Sequence, residues 1–192
     1  KYKKKIRIIY NRKNLGAGLS RNKGIAISRG KYIAFLDSDD EWSIHKLSKQ
    51  INFMKKNKYL ASHTSYDRVD ISGRYLSTRY ATNLNYKNLM KSCDIGLSTV
   101  IISKHLLKTG HLFPSIKPKE DYLLWLKISI SGTNFYAIKS RLTRWRNTPN
   151  SLSNSVFQKL KDSFIVYHKY ENLNYIKSIF RILILSYNYL VK

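Results

Sequence analysis

The chain has 192 residues, of which 43% are hydrophobic and 13% aromatic, and this composition fits one folded domain and excludes a largely disordered protein. Its single cysteine, Cys93, excludes an intramolecular disulfide and favours a reducing, cytoplasmic setting. The 36 lysines and arginines against 11 acids give a formal charge of +25, which favours anionic partners.

The first third of the chain predicts alternating strands and helices. Residues 5–10 form a β-branched run followed by turn residues, and residues 19–29 are typical of a helix. Residues 32–36 are continuously apolar, as a central parallel strand buried on both faces would be. From Ile44 to near Asn57, apolar residues recur at helical spacing. This βαβα order predicts an α/β fold with a mostly parallel sheet flanked by helices.

The rest of the chain predicts shorter strands and a helical C-terminal extension. A dense apolar run begins at Glu120 and stops at Gly132, which indicates a helix with acids in its first turn. From Val156 the chain is predicted to be helical, and residues 176–187 form a basic amphipathic segment without the roughly 18 uninterrupted apolar residues of a membrane span. The strand candidates are residues 60–66, 68–71, 97–103, 135–138 and 142–145.

Six of the 11 acids lie in two short groups. Like charges packed together repel unless a cation or a shifted pKa compensates, so these groups indicate where chemistry takes place. The groups are Asp37, Asp39, Asp40 and Glu41, and Glu120 and Asp121.

The first acidic group follows directly after the predicted strand 32–36. Ligands of open α/β sheets bind beyond the carboxyl ends of the strands. Alternate carboxylates at such a position can converge on Mg²⁺ or Mn²⁺, which typically takes one or two carboxylates plus phosphate oxygens of a substrate. The alternative is structural, with Asp39 or Asp40 capping the helix that follows.

Several spaced segments fit one family pattern. Residues 14–25 (NLGAGLSRNKGI) and 30–42 (GKYIAFLDSDDEW) match N-x-G-x-x-x-x-R-N-x-G and Y-I-x-F-L-D-x-D-D-x-W stretches. Residues 119–126 (KEDYLLWL) are similar to an acceptor-side E-D-x-x-L-W segment, and residues 145–153 (WRNTPNSLS) resemble a Y-R-x-x-x-x-S-x-S element. Together these segments resemble family-two glycosyltransferases over residues 6–153.

The resemblance implies an inverting, nucleotide-sugar-dependent transferase of the hexosyltransferase type. Its fold would be GT-A-like (Rossmann-like) over residues 1–153, with a helical, basic amphipathic extension over residues 154–192. By the same resemblance, Asp37 faces the ribose and diphosphate of the donor. Asp39 binds Mg²⁺ or Mn²⁺, and Asp121 is the base that takes the proton of the acceptor hydroxyl.

Further roles follow from the resemblance. Glu120 supports Asp121 on the acceptor side, and capping of the helix N-terminus is the alternative for this pair. Backbone N–H groups and the helix dipole near residues 14–22 would attract the diphosphate. Surface arginines are the alternative for Arg21 and Arg146. The implied donor-binding residues are Asn14, Gly16, Arg21, Asn22, Asp37, Ser38 and Arg146.

Family members begin with two further strands, whereas this chain opens just before the third. We therefore expect an N-terminally truncated sheet that lacks its first strands, with weak nucleotide affinity and marginal stability. The expected partners are a nucleotide-diphosphate sugar and a glycan or lipid-linked acceptor of bacterial surface polysaccharide synthesis. The basic tail predicts peripheral attachment to the inner face of an anionic membrane, and the alternative is that residues 176–191 pack on the domain or form a dimer contact.

Two other functions remain open from the sequence. One is an inactive transferase remnant that acts as a membrane-surface or interaction protein. The other is a basic nucleic-acid-binding protein, although no helix-turn-helix, zinc or RNA-binding signature is present and no nucleic acid is expected.

Overall fold

The computed structural model describes residues 6–108, 110–116, 119–148 and 156–190. These residues form a mixed α/β fold in which helices pack on a curled sheet. The strands are β1 (Tyr32–Ala34), β2 (Glu41–Trp42), β3 (Ala61–Val69), β4 (Tyr75–Arg79), β5 (Ile101–Ser103) and β6 (Tyr136–Arg146). The α-helices are α1 (Ala17–Ile27), α2 (Lys46–Asn57), α3 (Tyr86–Leu89), α4 (Lys104–Lys108), α5 (Glu120–Ile130), α6 (Val156–Ile165) and α7 (Tyr175–Leu190).

The sheet has the order β1-β5-β3-β6-β2, and β4 pairs with β3 beside this path. β3 is the central strand, because it pairs in parallel with β6 from Ser62 to Val69 and antiparallel with both β5 and β4. The short β1 pairs antiparallel with β5. The loop after β1, which carries Asp37, Asp39 and Asp40, therefore connects the two strands at opposite ends of this order, β1 and β2.

The α/β fold and the helical C-terminal region are confirmed, but the mostly parallel pairing is wrong for the described strands. Of the five strand pairings there, only β3 with β6 is parallel. The prediction of a central strand over residues 32–36 is wrong as well. β1 stands at one end of the strand order, pairs antiparallel with β5 and has only its middle residue, Ile33, buried.

The boundaries of several strands also differ from the prediction. Residues 6–10 are exposed and form no strand, and Lys5 lies outside the described residues. Residues 60–71 give one strand, β3, because Asp67 does not break it and instead accepts a hydrogen bond from Thr78 of β4 at 2.7 Å. Residues 97–103 divide into a short 3₁₀ turn and β5.

β6 likewise replaces two predicted short strands. Its exposed residues 139–141 looked like a break, but the register shifts of β3 at Thr64 to Tyr66 accommodate them. The strand is therefore continuous from the core to the loop that carries Asp39, which it reaches at Arg146.

Helix α5 lies in the centre of the core. Its residues from Tyr122 to Leu126 are buried, and the ring of Trp125 packs among three phenylalanines. A helix that is apolar on all sides needs cover on all sides. The helix that begins at Glu120 is thus confirmed. Its first turn, which carries Glu120 and Asp121, is fixed by the packing of the buried residues that follow. The three phenylalanines are Phe35, Phe113 and Phe135.

The C-terminal helices pack on this core. After α6 the chain widens into a π-helical turn, Val166–Tyr170, that buries Tyr167. The Tyr167 hydroxyl lies 3.0 Å from that of Tyr122 and donates to the Met90 carbonyl at 3.2 Å. Helix α7 returns across α6, and its Asn188 amide donates to a backbone carbonyl of the domain. Along the described parts of the chain, no helix is long and apolar enough to cross a membrane.

Candidate active site

The loop after β1 turns tightly around its aspartates. The Asp40 backbone N–H donates to the Asp37 carbonyl at 3.1 Å, and the Asp37 N–H donates to the Ser98 hydroxyl at 3.1 Å. This turn leaves Asp37 half-buried and exposes Ser38 and Asp39 to solvent. The two carboxylates expected at a donor diphosphate and a metal ion are therefore accessible from outside.

Asp40 has a structural place instead. Its side chain is buried, and its Oδ1 accepts a hydrogen bond from the Arg146 backbone N–H at 3.0 Å. Burial raises the pKa of Asp40 to about 6. The N-cap residue of α2 is His45, so neither Asp39 nor Asp40 caps that helix. The capping alternative for this group is therefore wrong, because β2 lies between the loop and α2.

Arg146 fixes the loop from the end of β6. Its guanidinium donates to the Asp39 carbonyl at 3.0 Å and to the Ile71 carbonyl at 3.0 Å, and it also contacts the Glu41 carboxylate. These contacts tie the β3–β4 turn to the acidic loop. Arg146, implied as a donor contact, thus holds the backbone beside Asp39. Ser151 and Ser153, which completed its motif, lie outside the described residues.

The residues before and within α1 have distinct local roles. Asn14 Oδ1 accepts a hydrogen bond from the Gly16 N–H at 2.9 Å, and Gly16 begins the helix with a φ of 79°, a left-handed conformation that favours glycine. The Asn22 side chain makes two hydrogen bonds with the backbone of Phe113, at 2.8 and 3.0 Å. Asn14 and Asn22 therefore shape the loop and position α1.

Arg21 reaches from α1 to both acidic groups. Its guanidinium contacts Asp37 Oδ1 at 2.6 Å and Glu120 Oε1 at 2.8 Å. The surface-arginine alternative for Arg21 is therefore wrong, since the side chain is only 20% exposed and bridges two carboxylates. The structure thus brings Asp37 together with the first turn of α5.

Asp121 lies in that first turn. Its Oδ1 accepts a hydrogen bond from the Tyr122 N–H at 2.7 Å, while burial and the charge of Glu120 raise its pKa to about 6. Lys119, just before the helix, has a φ of 78°, a strained conformation for a residue other than glycine. A half-buried carboxylate with a raised pKa has the properties of a general base.

The described residues contain no group of three His, Cys, Asp or Glu side chains arranged as a metal site. A hard cation bound by one or two carboxylates plus substrate phosphates needs no such group. The exposed carboxylate of Asp39 and the nearby Asp37 fit this mode of binding.

The structure adds a buried polar network that the sequence did not predict. Lys46 is buried, donates to Gln50 Oε1 at 3.0 Å and lies 4.4 Å from the centre of the Trp42 ring. The Trp42 indole N–H donates to the Ser98 carbonyl at 2.6 Å. The Ser98 hydroxyl in turn accepts a hydrogen bond from the Asp37 backbone N–H. The network therefore connects Lys46 and Trp42 to the acidic loop through Ser98.

The inner face of α2 was assigned wrongly from the sequence. Ile44 and Leu47 are exposed, and the buried residues are Lys46, Gln50 and Met54. These three residues recur every four positions, and this helical spacing was the sequence signal that could have identified the buried face. Apolar periodicity missed it because the polar atoms of Lys46 and Gln50 satisfy each other inside the protein.

We expect Lys46→Met to remove a pH-dependent cost of folding. Burial lowers the pKa of Lys46 from 10.5 to about 7, so the unfolded state binds more protons between these values. The free-energy cost of burying the charged Lys46 is fully present below about pH 7 and vanishes toward pH 10.5. The gain in unfolding free energy of the variant over the wild type should shrink by roughly 2–4 kcal/mol between about pH 7 and pH 10, measured by urea denaturation.

Lys49→Met is the matched control, because Lys49 lies on the exposed side of the same helix. Its unfolding free energy relative to the wild type should not change with pH over this range. A constant difference for Lys46→Met as well would show that Lys46 titrates normally in the folded protein.

Comparisons with known proteins bear on this site. The family model described as glycosyl transferase family 2 matches residues 1–112. TuaG of Bacillus subtilis (strain 168), a glycosyltransferase named for teichuronic acid biosynthesis, is 32% identical over 181 residues, which are 93% of this chain and 71% of TuaG. WfgD of Escherichia coli is 35% identical over 162 residues, 82% of this chain and 62% of WfgD. WfgD is named a UDP-Glc:α-D-GlcNAc-diphosphoundecaprenol β-1,3-glucosyltransferase.

Among solved structures, S. aureus TarS 1–349 in complex with UDP-GlcNAc superimposes with a TM-score of 0.63 at 18% identity. The match covers 88% of this chain and 51% of the TarS chain. This likeness confirms the GT-A-like fold. The chain spans about half of this solved structure and 62–71% of the two relatives.

Proposed function

Because the chain belongs to glycosyltransferase family 2, we propose that it transfers a sugar from a nucleotide-diphosphate donor to a glycan acceptor with inversion at the anomeric carbon. The observation that supports this most is the Arg21 bridge, which brings the donor-side Asp37 beside the first turn of α5. Asp121 follows Glu120 in this turn, and the pKa of its carboxyl is raised to about 6, a value that suits a general base. This proximity supports a site in which donor and acceptor would react beside each other.

In the proposed reaction Asp121 accepts the proton of the acceptor hydroxyl. The hydroxyl oxygen forms a bond to the anomeric carbon as the bond from that carbon to the diphosphate oxygen breaks, and the bonding electron pair leaves with the diphosphate. One displacement inverts the anomeric centre and forms no covalent enzyme intermediate. A Mg²⁺ or Mn²⁺ ion held by Asp39 would neutralise charge on the leaving diphosphate.

Other residues orient the donor. Arg21 fixes the carboxylate of Asp37, which would face the ribose and diphosphate, and Arg146 fixes the backbone of Asp39. Asn14 and Gly16 shape the start of α1, whose free N–H groups attract anions. Ser38 is exposed in the same turn and would contact the diphosphate beside Asp39.

The names of the relatives guide the choice of substrates. WfgD and WfaP of Escherichia coli are both named as glucosyltransferases that act on a GlcNAc-diphosphoundecaprenol acceptor. We therefore propose a lipid-linked glycan as acceptor, within surface polysaccharide synthesis, and UDP-glucose as the first donor to test.

The test incubates the purified protein with Mn²⁺, radiolabelled UDP-glucose or UDP-GlcNAc, and GlcNAc-diphosphoundecaprenol in detergent. Labelled lipid-linked product with a β linkage from the α-linked donor is the expected result. Two results would contradict the proposal: a product that retains the α configuration, or tight salt-dependent RNA binding without binding of either nucleotide sugar.

We further propose that the outer side of α7 binds an anionic lipid surface on the cytoplasmic side of the membrane. Five large apolar side chains occupy one stripe of this helix at spacings of three and four residues and are 41–78% exposed. The opposite face packs inward through the buried Ser178. We call these five residues the α7 stripe: Ile176, Ile179, Phe180, Leu183 and Tyr187.

The charged residues around the α7 stripe favour an anionic lipid surface as its binding partner. Lys177 and Arg181 flank the stripe, and the exposed Lys161 and Lys169 lie on the adjoining helical segment. The two acids of described residues 156–190 are engaged inside the protein, since Asp162 is buried and Glu171 accepts the hydroxyl hydrogen bond of Tyr86. An apolar stripe with a basic border matches the boundary between acyl chains and anionic headgroups.

The double substitution Phe180→Ser and Leu183→Ser should weaken binding to vesicles of phosphatidylcholine with 30% phosphatidylglycerol by roughly tenfold per residue. Sedimentation with the vesicles measures the bound fraction. The control is Ile71→Ser with Tyr75→Ser, which removes two exposed apolar side chains from the β3–β4 hairpin. Unchanged binding of the α7 variant, or a wild-type dimer that this variant dissociates, would show that lipid does not cover the stripe.

A further inference from the structure

Arg21 connects three elements of the site. It extends from α1 and forms ion pairs with Asp37 on the loop after β1 and with Glu120 on α5. Its side chain is 20% exposed and that of Glu120 is 14% exposed. Solvent and salt screen such partly buried pairs less than they screen surface pairs. The bridge is therefore strong enough to influence neighbouring groups.

The position of Arg21 is itself fixed by α1. The guanidinium carbon lies 5.5 Å from the centre of the Phe113 ring, and Asn22 holds the backbone of Phe113 through two hydrogen bonds. Helix α1 also approaches α5 closely, since a Cβ atom added at Gly18 would lie 3.0 Å from Glu120 Cγ. These contacts place the start of the Arg21 side chain within reach of both carboxylates.

We propose that Arg21 is a positioning residue that holds Asp37 against Glu120 and offsets the negative charge of Glu120 beside Asp121. The inference rests on the proposed function, in which Asp121 is the base. It assigns to one guanidinium the task of linking the donor loop to the acceptor-side carboxylates.

The charges around Asp121 make this role measurable. Glu120 and Lys119 adjoin it on its own element, Arg21 approaches from α1, and the Cys93 thiol lies on the neighbouring loop. Burial is the main cause of the raised pKa of Asp121, Glu120 raises it further, and Lys119 and Arg21 lower it. Arg21 thus counteracts Glu120.

Opposite shifts follow from this arrangement. Arg21→Gln removes a positive charge that lowers the pKa of Asp121, so this pKa should rise, by less than Glu120→Gln lowers it. Glu120→Gln removes the neighbouring negative charge, so the pKa of Asp121 should fall by about one unit. A purely structural role would loosen the site in both variants and move the pKa of Asp121 in one common direction, toward that of a solvated carboxyl.

The experiment is a ¹³C NMR titration of the aspartate side-chain carboxyls in the whole chain, with the Asp121 signal assigned by its loss in Asp121→Asn. The expected result is a rise for Arg21→Gln and a fall for Glu120→Gln. Arg74→Gln is the matched control, since Arg74 is 80% exposed and forms its ion pair with the hairpin residue Asp70. Shifts in the same direction, or none, would overturn the inference.

A kinetic measurement separates this inference from the proposed function. With UDP-glucose as the donor probe, the acid limb of the kcat/KM profile, which reports the free enzyme, should move with the NMR midpoint in each variant. Opposite NMR shifts without any sugar transfer would support the Arg21 bridge and contradict the proposed function. Transfer with an acid limb that neither substitution moves would contradict the bridge and leave the proposed function intact.

Discussion

Asp121→Asn is expected to lower kcat for sugar transfer by about 10²–10⁴-fold and to leave the KM for the donor within roughly a factor of three. The amide cannot take the proton of the acceptor hydroxyl, whereas the donor is held on the other side of the Arg21 bridge. Steady-state transfer of radiolabelled sugar to the lipid-linked acceptor measures both constants. In the wild type, kcat/KM should fall as the pH drops through about 6, because the ionised form of Asp121 is the active one in the proposed reaction.

Asp67→Asn is the matched control for this substitution. Asp67 is also a partly buried aspartate with a hydrogen bond, but its partners are Thr78 and Arg141 on the strands. Its loss should leave kcat nearly unchanged. If Asp121→Asn kept more than about one fifth of wild-type kcat, general-base catalysis by Asp121 would be excluded on magnitude. Glu120 would then be the carboxylate to test.

Asp39→Asn should abolish the metal-dependent part of donor binding. Isothermal titration of UDP with and without Mn²⁺ measures this part, and we expect a loss of at least about 100-fold in affinity in the presence of Mn²⁺. The reason is that Asp39 is the exposed carboxylate of the loop, whereas Asp40 is turned inward to Arg146. Removal of the metal with EDTA should reduce wild-type binding to the level of the variant.

The same titration contains its own control. Asp67→Asn should bind UDP with wild-type dependence on Mn²⁺, and added Mn²⁺ should restore binding to the EDTA-treated wild type but not to Asp39→Asn. If Asp39→Asn binds UDP and responds to Mn²⁺ like the wild type, the metal is held elsewhere or not at all.

The local features of the fold were predictable from the sequence where one rule dominated. Helix α5 was found because its apolar residues and its terminal Gly132 agree. The strand that leads to the acidic loop was predictable from the apolar run of residues 32–36, although β1 ends at Ala34, two residues earlier than the run. The order of the strands and their direction were not predictable, because pairing depends on contacts between distant segments.

In the candidate site, too, the residue types were predictable from the sequence and the contacts between distant segments were not. The motif named Asp37, Asp39 and Asp121 as residue types in order, but it did not show that Arg21 links the two acidic groups, since that contact joins residues 99 positions apart. The support of the loop by Lys46 was missed because lysine is usually exposed, and its burial is tolerated here beside Gln50 and the Trp42 ring.

The paired hydroxyls of Tyr122 and Tyr167 limit how this protein can be recombined with its relatives. Tyr122 directly follows Asp121, so the hydroxyl contact connects the π-helical turn, far along the chain, to the first turn of α5. A chimera that takes only α5 from a relative would place the new helix against a π-helical turn that it did not evolve to contact. Such designs need to graft α5 together with residues 156–170 as one block.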